Sequence, residues 1–155
     1  MTASNHAATG ALVAVAVSQP YIAVPLALAA HFAMDGIPHF GLGRGLGILE
    51  RNRSKVFVQV LLADVLVCAV LLLSVPFILH SHVTWWVVLA CMLACISPDL
   101  IWGYRYYFEL KNNVTRPKNR LSKFHSRIQW SETPRGAIIE IVWFVAVIGL
   151  IGAAL

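Results

Sequence analysis

The chain has 155 residues, of which 59% are hydrophobic and only 12% charged, where an ordinary soluble domain carries about 25% charged residues. That composition excludes a soluble domain and points to one integral membrane domain, 1–155, built from several helices. The net charge of +5 is confined, with four of the twelve Lys and Arg residues between Arg44 and Lys55 and eight between Arg105 and Arg135.

Basic residues placed this way follow the positive-inside pattern, so both segments are expected on the cytoplasmic side. The same placement removes the argument for nucleic acid as a partner. Anionic lipid headgroups suffice to explain a basic face against a membrane.

MTASNHAATG, the first ten residues, has no basic region and no cleavage motif after a short apolar core, so no cleavable signal peptide is expected. The first apolar block is interrupted at Ser18-Gln19-Pro20, and Pro25 follows. Proline removes a backbone donor and disfavours helix in the residue before it. The prediction is a short helical hairpin within 1–40, with helices at about 6–17 and 21–38 and both ends on the cytoplasmic side.

The second of these helices carries AAHFAMDGIPHF. His31, Asp35 and His39 recur there every four residues, along one helical face. Pro38 sets a condition on the row, because His39 reaches the others only if the chain beyond the proline turns toward them.

GLGRGLGILERNRSK, residues 41–55, is a glycine-rich basic loop. No strand precedes it and no Walker lysine follows, so it is read as a headgroup-facing loop and not a nucleotide cradle. Residues 56–79 form a clean span with one charge, Asp64, which is buried roughly 13–16 Å from the inner end. HSHVT is an external turn, and Trp85-Trp86 mark the interface beside it. A second span, 85–107, returns to the cytoplasm with Ser97-Pro98-Asp99 near its inner end. A basic cytoplasmic loop over 109–134 holds His125, and a last span, 135–154, carries Glu140 near its start.

The fold class expected is therefore all-α, a polytopic membrane bundle of three full spans plus the N-terminal hairpin. Its N-terminus is expected in the cytoplasm and its C-terminus outside, in a bacterial inner membrane. Cys68, Cys91 and Cys95 sit in apolar runs and are read as packing residues.

This topology gathers His6, His31, Asp35, His39, Asp99, His125 and Glu140 at one inner-leaflet level, with Asp64 deeper. Ionisable groups inside a membrane mark function or a paired partner. Imidazole with carboxylate, and no usable thiolate, suits zinc first, with manganese or iron as alternatives, as one or two ions. Asp64 is equally readable as a buried hydrogen-bonding residue that locks helices. Asp99 is also readable as a cap at a proline break.

His6 with Thr9-Gly10, His31-x3-Asp35-x2-Pro38-His39, Asp64, Ser97-Pro98-Asp99 and Phe124-His125-Ser126 together resemble the LexA-regulated, membrane-bound metal-dependent hydrolase family. That family is distantly similar to zinc-dependent phospholipase C in its His/Asp pattern. The resemblance implies a helical metal site acting on phosphoester or related bonds of a lipid. Carried over residue by residue, it assigns His6, His31, Asp35, His39, Asp99 and His125 to the metal. One departure is plain. Zinc phospholipases follow the histidine with a glutamate four residues on, whereas here His125 is followed by Gln129.

The expected function is thus a membrane-embedded hydrolase that cleaves a lipid phosphoester or phosphoanhydride at the cytoplasmic leaflet with a metal-activated water. Asp64, Asp99 and Glu140 are the candidate catalytic carboxylates, and Arg44 and Arg127 the candidate phosphate clamp. The alternative is a non-catalytic membrane subunit or transporter whose His/Asp cluster binds metal or protons. A diiron oxidase would want several HxxxH or HxxHH boxes, and one such spacing is too few. Oligomeric state is not fixed by the sequence.

Overall fold

Some prolines set helix boundaries, as Pro20 does, whereas Pro25, Pro76 and Pro98 lie inside helices that run through them. The computed structural model describes residues 1–17, 19–43 and 46–154, and among them are seven helices and one two-residue parallel bridge. In chain order these are α1 (Ala3–Ala16), α2 (Pro20–Asp35), β1 (His39–Phe40), α3 (Ile48–Arg51), α4 (Lys55–Ile78), α5 (Trp85–Asn112), α6 (Arg120–Ile128), β2 (Glu132–Thr133) and α7 (Gly136–Ala153).

Helices α4, α5 and α7 are each long and apolar enough to cross a membrane, consistent with an integral membrane protein. Helices α1 and α2, of 14 and 16 residues, are about 21 and 24 Å long at 1.5 Å per residue, short of the roughly 30 Å hydrocarbon core.

Local chemistry sets the ends. Pro20 opens α2, where its missing N–H is not needed. Ser54 caps α4, its hydroxyl accepting from Phe57 N at 3.3 Å, and Asn119 caps α6 in the same way through Ser122 N at 2.7 Å. Helix α5 runs five residues past the expected 107. It ends at Asn113, whose φ of +50° supplies the left-handed turn that a helix terminus needs.

Helix α2 ends at Asp35, three residues before the expected 38, because Pro38 disfavours helical backbone at Ile37. The expected continuous row from His31 to His39 is therefore broken. His39 lies in β1, paired with Glu132 of β2. Part of the expected 109–134 loop is helical as well, as α6.

The centre of the bundle is α1, which packs against α2, α4, α5 and α7. Ala7, Ala8, Ala11 and Ala14 are almost completely buried, and such small side chains let backbones approach closely. Gly10 is where α1 comes closest to a neighbouring backbone. A Cβ there would lie 2.6 Å from the Cys91 carbonyl oxygen and 2.7 Å from Met92 Cα. Cys68, Cys91 and Cys95 are buried free thiols in the surrounding apolar core.

Candidate metal centre

The polar cluster is assembled from four helices. The last turn of α2 supplies His31 and Asp35, which face the same way because they are four residues apart. Helix α5 supplies Asp99 just after Pro98, and α6 supplies His125. Helix α1 adds His6. His6, His31 and Asp35 are fully buried, and His125 is 7% exposed. One ligand atom each from His31, Asp35, Asp99 and His125 lies within 4.8 Å of all the others, so this group could hold a metal ion.

Asp35 is the hub, and its two oxygens face different neighbours. Oδ2 lies 2.7 Å from His125 Nε2, 3.3 Å from His31 Nε2 and 3.2 Å from the donating Gln129 Nε2. Oδ1 lies 3.2 Å from His6 Nε2 and 2.5 Å from the Met1 amino group. Asp99 stands slightly further off, with Oδ2 3.7 Å from His6 Nε2 and Oδ1 3.9 Å from His125 Nε2. Its side chain keeps 20% exposure, which makes it the carboxylate of the group that solvent can reach.

The backbone of α5 orients His31. Its Nδ1 donates to the Cys95 carbonyl at 2.7 Å, which fixes that nitrogen as the protonated one. In the neutral ring, Nε2 then carries a lone pair toward Asp35 and toward His125 Nε2, 3.1 Å away. A lone pair facing a carboxylate in a buried site is unfavourable unless a cation joins them. This second-partner arrangement is the one that metal-ligating histidines ordinarily have.

Pro98 contributes indirectly. It cannot donate to the Ala94 carbonyl, and Ser97 Oγ takes that acceptor instead at 2.8 Å. His6 stacks on His31 with ring centroids 4.0 Å apart, and its Nδ1 is buried with no hydrogen-bond partner among the described residues. Two carboxylates and converging imidazoles fit a divalent ion of borderline character such as zinc, manganese or iron(II).

The remaining candidates fall elsewhere. Asp64 accepts from Ala3 N and Ser4 N, both at 2.9 Å, one on each oxygen. Glu140 Oε1 accepts from Thr2 N at 2.9 Å, and the Glu140 carbonyl accepts from Asn5 Nδ2 at 3.3 Å. Both acids sit at the positive, donor-rich amino end of α1, and neither belongs to the four-residue group. They hold the helix that aims His6.

His39 turns its Nδ1 to its neighbour's carbonyl, Ile37 O, at 2.8 Å, and burial holds its pKa below the ordinary imidazole value. It too stands apart from the group. Arg127 is exposed on α6 and does not line the adjoining cavity. Arg44 lies outside the described residues.

Asp64→Ala is accordingly expected to cost about 1–2 kcal/mol, the range of a lost helix cap, while metal content stays at the wild-type level. Paired denaturation and elemental analysis measure both. Loss of the ion with unchanged stability would instead make Asp64 a ligand.

Gln129, in the sequence only a departure from the glutamate of zinc phospholipases, belongs to the cluster through its bond to Asp35. Its signal is the four-residue spacing from His125, which brings both onto one face of α6 and its end.

A cavity of about 980 Å³ opens beside Asp99 and His125 and runs between α4 and α5. Around its mouth, Arg51 forms a two-pronged ion pair with Glu132, at 2.8 Å through Nη2. Arg51 Nη2 also donates to the Gly43 carbonyl at 3.2 Å. This pair and the β1–β2 bridge tie the two basic segments together. Gly136 permits the bridge, because a side chain there would collide with the His39 backbone.

By fold and site, this is an all-helical protein with three helices fit to cross a membrane and a buried His/Asp group able to hold a metal ion. Comparison with protein-family models, with curated proteins and with solved structures finds no match.

Proposed function

We propose that the protein is a membrane-embedded, metal-dependent hydrolase that cleaves phosphoester or phosphoanhydride bonds of a lipid at the cytoplasmic leaflet. The observation that carries this is the position of the His31–Asp35–Asp99–His125 group, buried on one side and opening on the other into a large cavity with apolar walls. The resemblance to the LexA-regulated membrane-bound hydrolase family supports the same reading. A cytoplasmic N-terminus and a C-terminus outside a bacterial inner membrane belong to the same proposal, and the confinement of Lys and Arg to two segments supports them.

His31, Asp35, Asp99 and His125 would hold the ion, zinc first and manganese or iron as alternatives; a second ion beside His6 would have to displace the Met1 amino group from the far oxygen of Asp35. When bound, the ion supplies positive charge against phosphate oxygens and brings the pKa of a water to about 7. Asp99, as the solvent-reachable carboxylate, takes a proton from the attacking water as general base. Asp35 fixes the orientation of three imidazoles, and Gln129 donates to it. The Cys95 carbonyl keeps His31 in the tautomer whose Nε2 is free to ligate. The surrounding Ala, Val, Cys and Met core excludes bulk water from the buried side.

A non-catalytic subunit or transporter calls for polar residues distributed along a path through the bundle. The core beyond the group is apolar instead, which counts against that alternative.

The test is elemental analysis of the purified chain combined with a lipid-phosphate release assay. One or two equivalents of divalent metal are expected. Chelation should abolish release, and zinc or manganese should restore it. Absence of bound metal, or release that survives both chelation and His31→Ala, would sink the reading. His6→Ala separates one ion from two. The four-residue group is expected to keep its ion in that variant, and any second equivalent is lost.

A further inference from the structure

The cavity beside the metal group changes character along its length. One wall is a single face of α4, through Phe57, Leu61, Asp64, Cys68 and Leu72, which is about 22 Å of helix at 1.5 Å per residue. Apart from Asp64 this face is apolar, and α5 forms the opposite wall. Val65 and Leu100 line the cavity yet are 57% and 59% exposed. The slot is thus open sideways between the two helices. Gly103 lines it too, and a Cβ added there would meet no atom within 4 Å.

The polar end of the slot carries positive charge that the protein does not neutralise. Arg51 and Arg105 line it, but they are paired with Glu132 and Glu109. Lys118 and Arg116 line it as well, and among the described residues neither has a carboxylate partner. Lys118 Nζ donates to Ser126 Oγ at 2.7 Å, on the residue next to His125. The Arg116 guanidinium stacks 3.7 Å over the Phe108 ring.

Two cations without a carboxylate partner among the described residues, at the polar end of an apolar slot open between two candidate spans, match a phosphate headgroup on a long apolar tail. We propose that the α4–α5 slot takes the tail of a phosphate-headed amphiphile sideways from the bilayer, with Lys118 and Arg116 on its phosphate. This rests on the hydrolase reading and adds the route by which the lipid reaches the site and the side chains that hold its phosphate. A soluble phosphate ester would leave the slot without a role.

The test uses the full chain in phosphatidylcholine nanodiscs doped with dioleoyl phosphatidic acid. Chelator prevents turnover, and native mass spectrometry reads the lipid retained. The wild type is expected to retain phosphatidic acid in preference to phosphatidylcholine, and millimolar inorganic phosphate should not displace it. Gly103→Phe fills the slot from an open position and is expected to weaken retention about tenfold or more, with metal content unchanged on reloading. Lys118→Ala, on an exposed loop, is expected to cut the preference for phosphatidic acid by about tenfold.

Retention unchanged in Gly103→Phe, or displacement by inorganic phosphate alone, would overturn the proposal. If Gly103→Phe does not fold, Lys118→Ala and the competition decide: an unchanged preference overturns it and a lost one supports it. Retention without phosphate release after zinc is restored would keep the slot and remove the hydrolase reading.

Discussion

Asp35→Asn is expected to lose the metal ion, with affinity falling by at least about 100-fold, since even outer partners of a metal site are worth 10–100-fold. Asparagine keeps the shape of the side chain but removes the negative charge toward which His6, His31 and His125 all turn. Its amide would also place a donor among nitrogens that already include a donating Gln129. Activity in the phosphate-release assay should vanish with the ion.

Asp99→Asn is the informative comparison. Among the described residues the Asp99 side chain makes no hydrogen bond; its nearest approaches are 3.7 Å to His6 and 3.9 Å to His125, and part of it meets solvent. Its variant should fold as well as wild type, bind metal less tightly and lose activity. Gln129→Ala removes one donor to Asp35 and should cost the least of the three. Elemental analysis and metal titration order the series. A stoichiometric ion retained in Asp35→Asn would show that the cluster is not the metal site.

Gly10→Ala is the second large effect, and it acts through packing. The added methyl would press on the backbone of Cys91 and Met92. Backbone cannot move aside as the end of a flexible side chain can, so α1 and α5 must separate. Overpacking of this kind costs about 1–3 kcal/mol, and the site should register it as well. His6 stands one turn before Gly10 on α1, and Asp99 two turns after Cys91 on α5. A shift between the helices widens the gap between those two side chains.

The expected result is a lower melting temperature together with weaker metal binding. Ala8→Gly, in the same buried stripe, serves as the control, since it weakens α1 without pushing the helices apart. Equal loss of metal in both variants would attribute the effect to general unfolding.

Much of the site was legible from residue type and spacing. His31 and Asp35 are four apart in an apolar helix, and they share a face in the folded chain. Asp99 after a proline and His125 in a basic segment were recognisable as polar groups at one level. The rest depended on contacts between segments distant in sequence. Asp64 and Glu140 stood out because isolated carboxylates in apolar helices demand a partner, Asp64 being equally readable as a catalytic group or as a buried residue that locks helices. The partner turned out to be the amino end of α1, whose free N–H groups need acceptors. His39 looked like the third member of a row, but helical spacing holds only while the helix continues, and Pro38 stops it.

What the sequence by itself determined is the material of the protein: apolar helices, charge confined to two segments, and imidazoles and carboxylates placed in and beside those helices. Hydrophobicity and proline act locally, so these features survive any arrangement of the helices. Only the tertiary structure decided that α1, short and rich in alanine, is the hub on which four helices meet. It also decided that Asp35 is the centre of the cluster, and that α6 folds back to deliver His125 and Gln129. Those outcomes follow from close backbone approach and from which buried polar atom finds which partner. Both are properties of pairs of segments, and no single segment carries them.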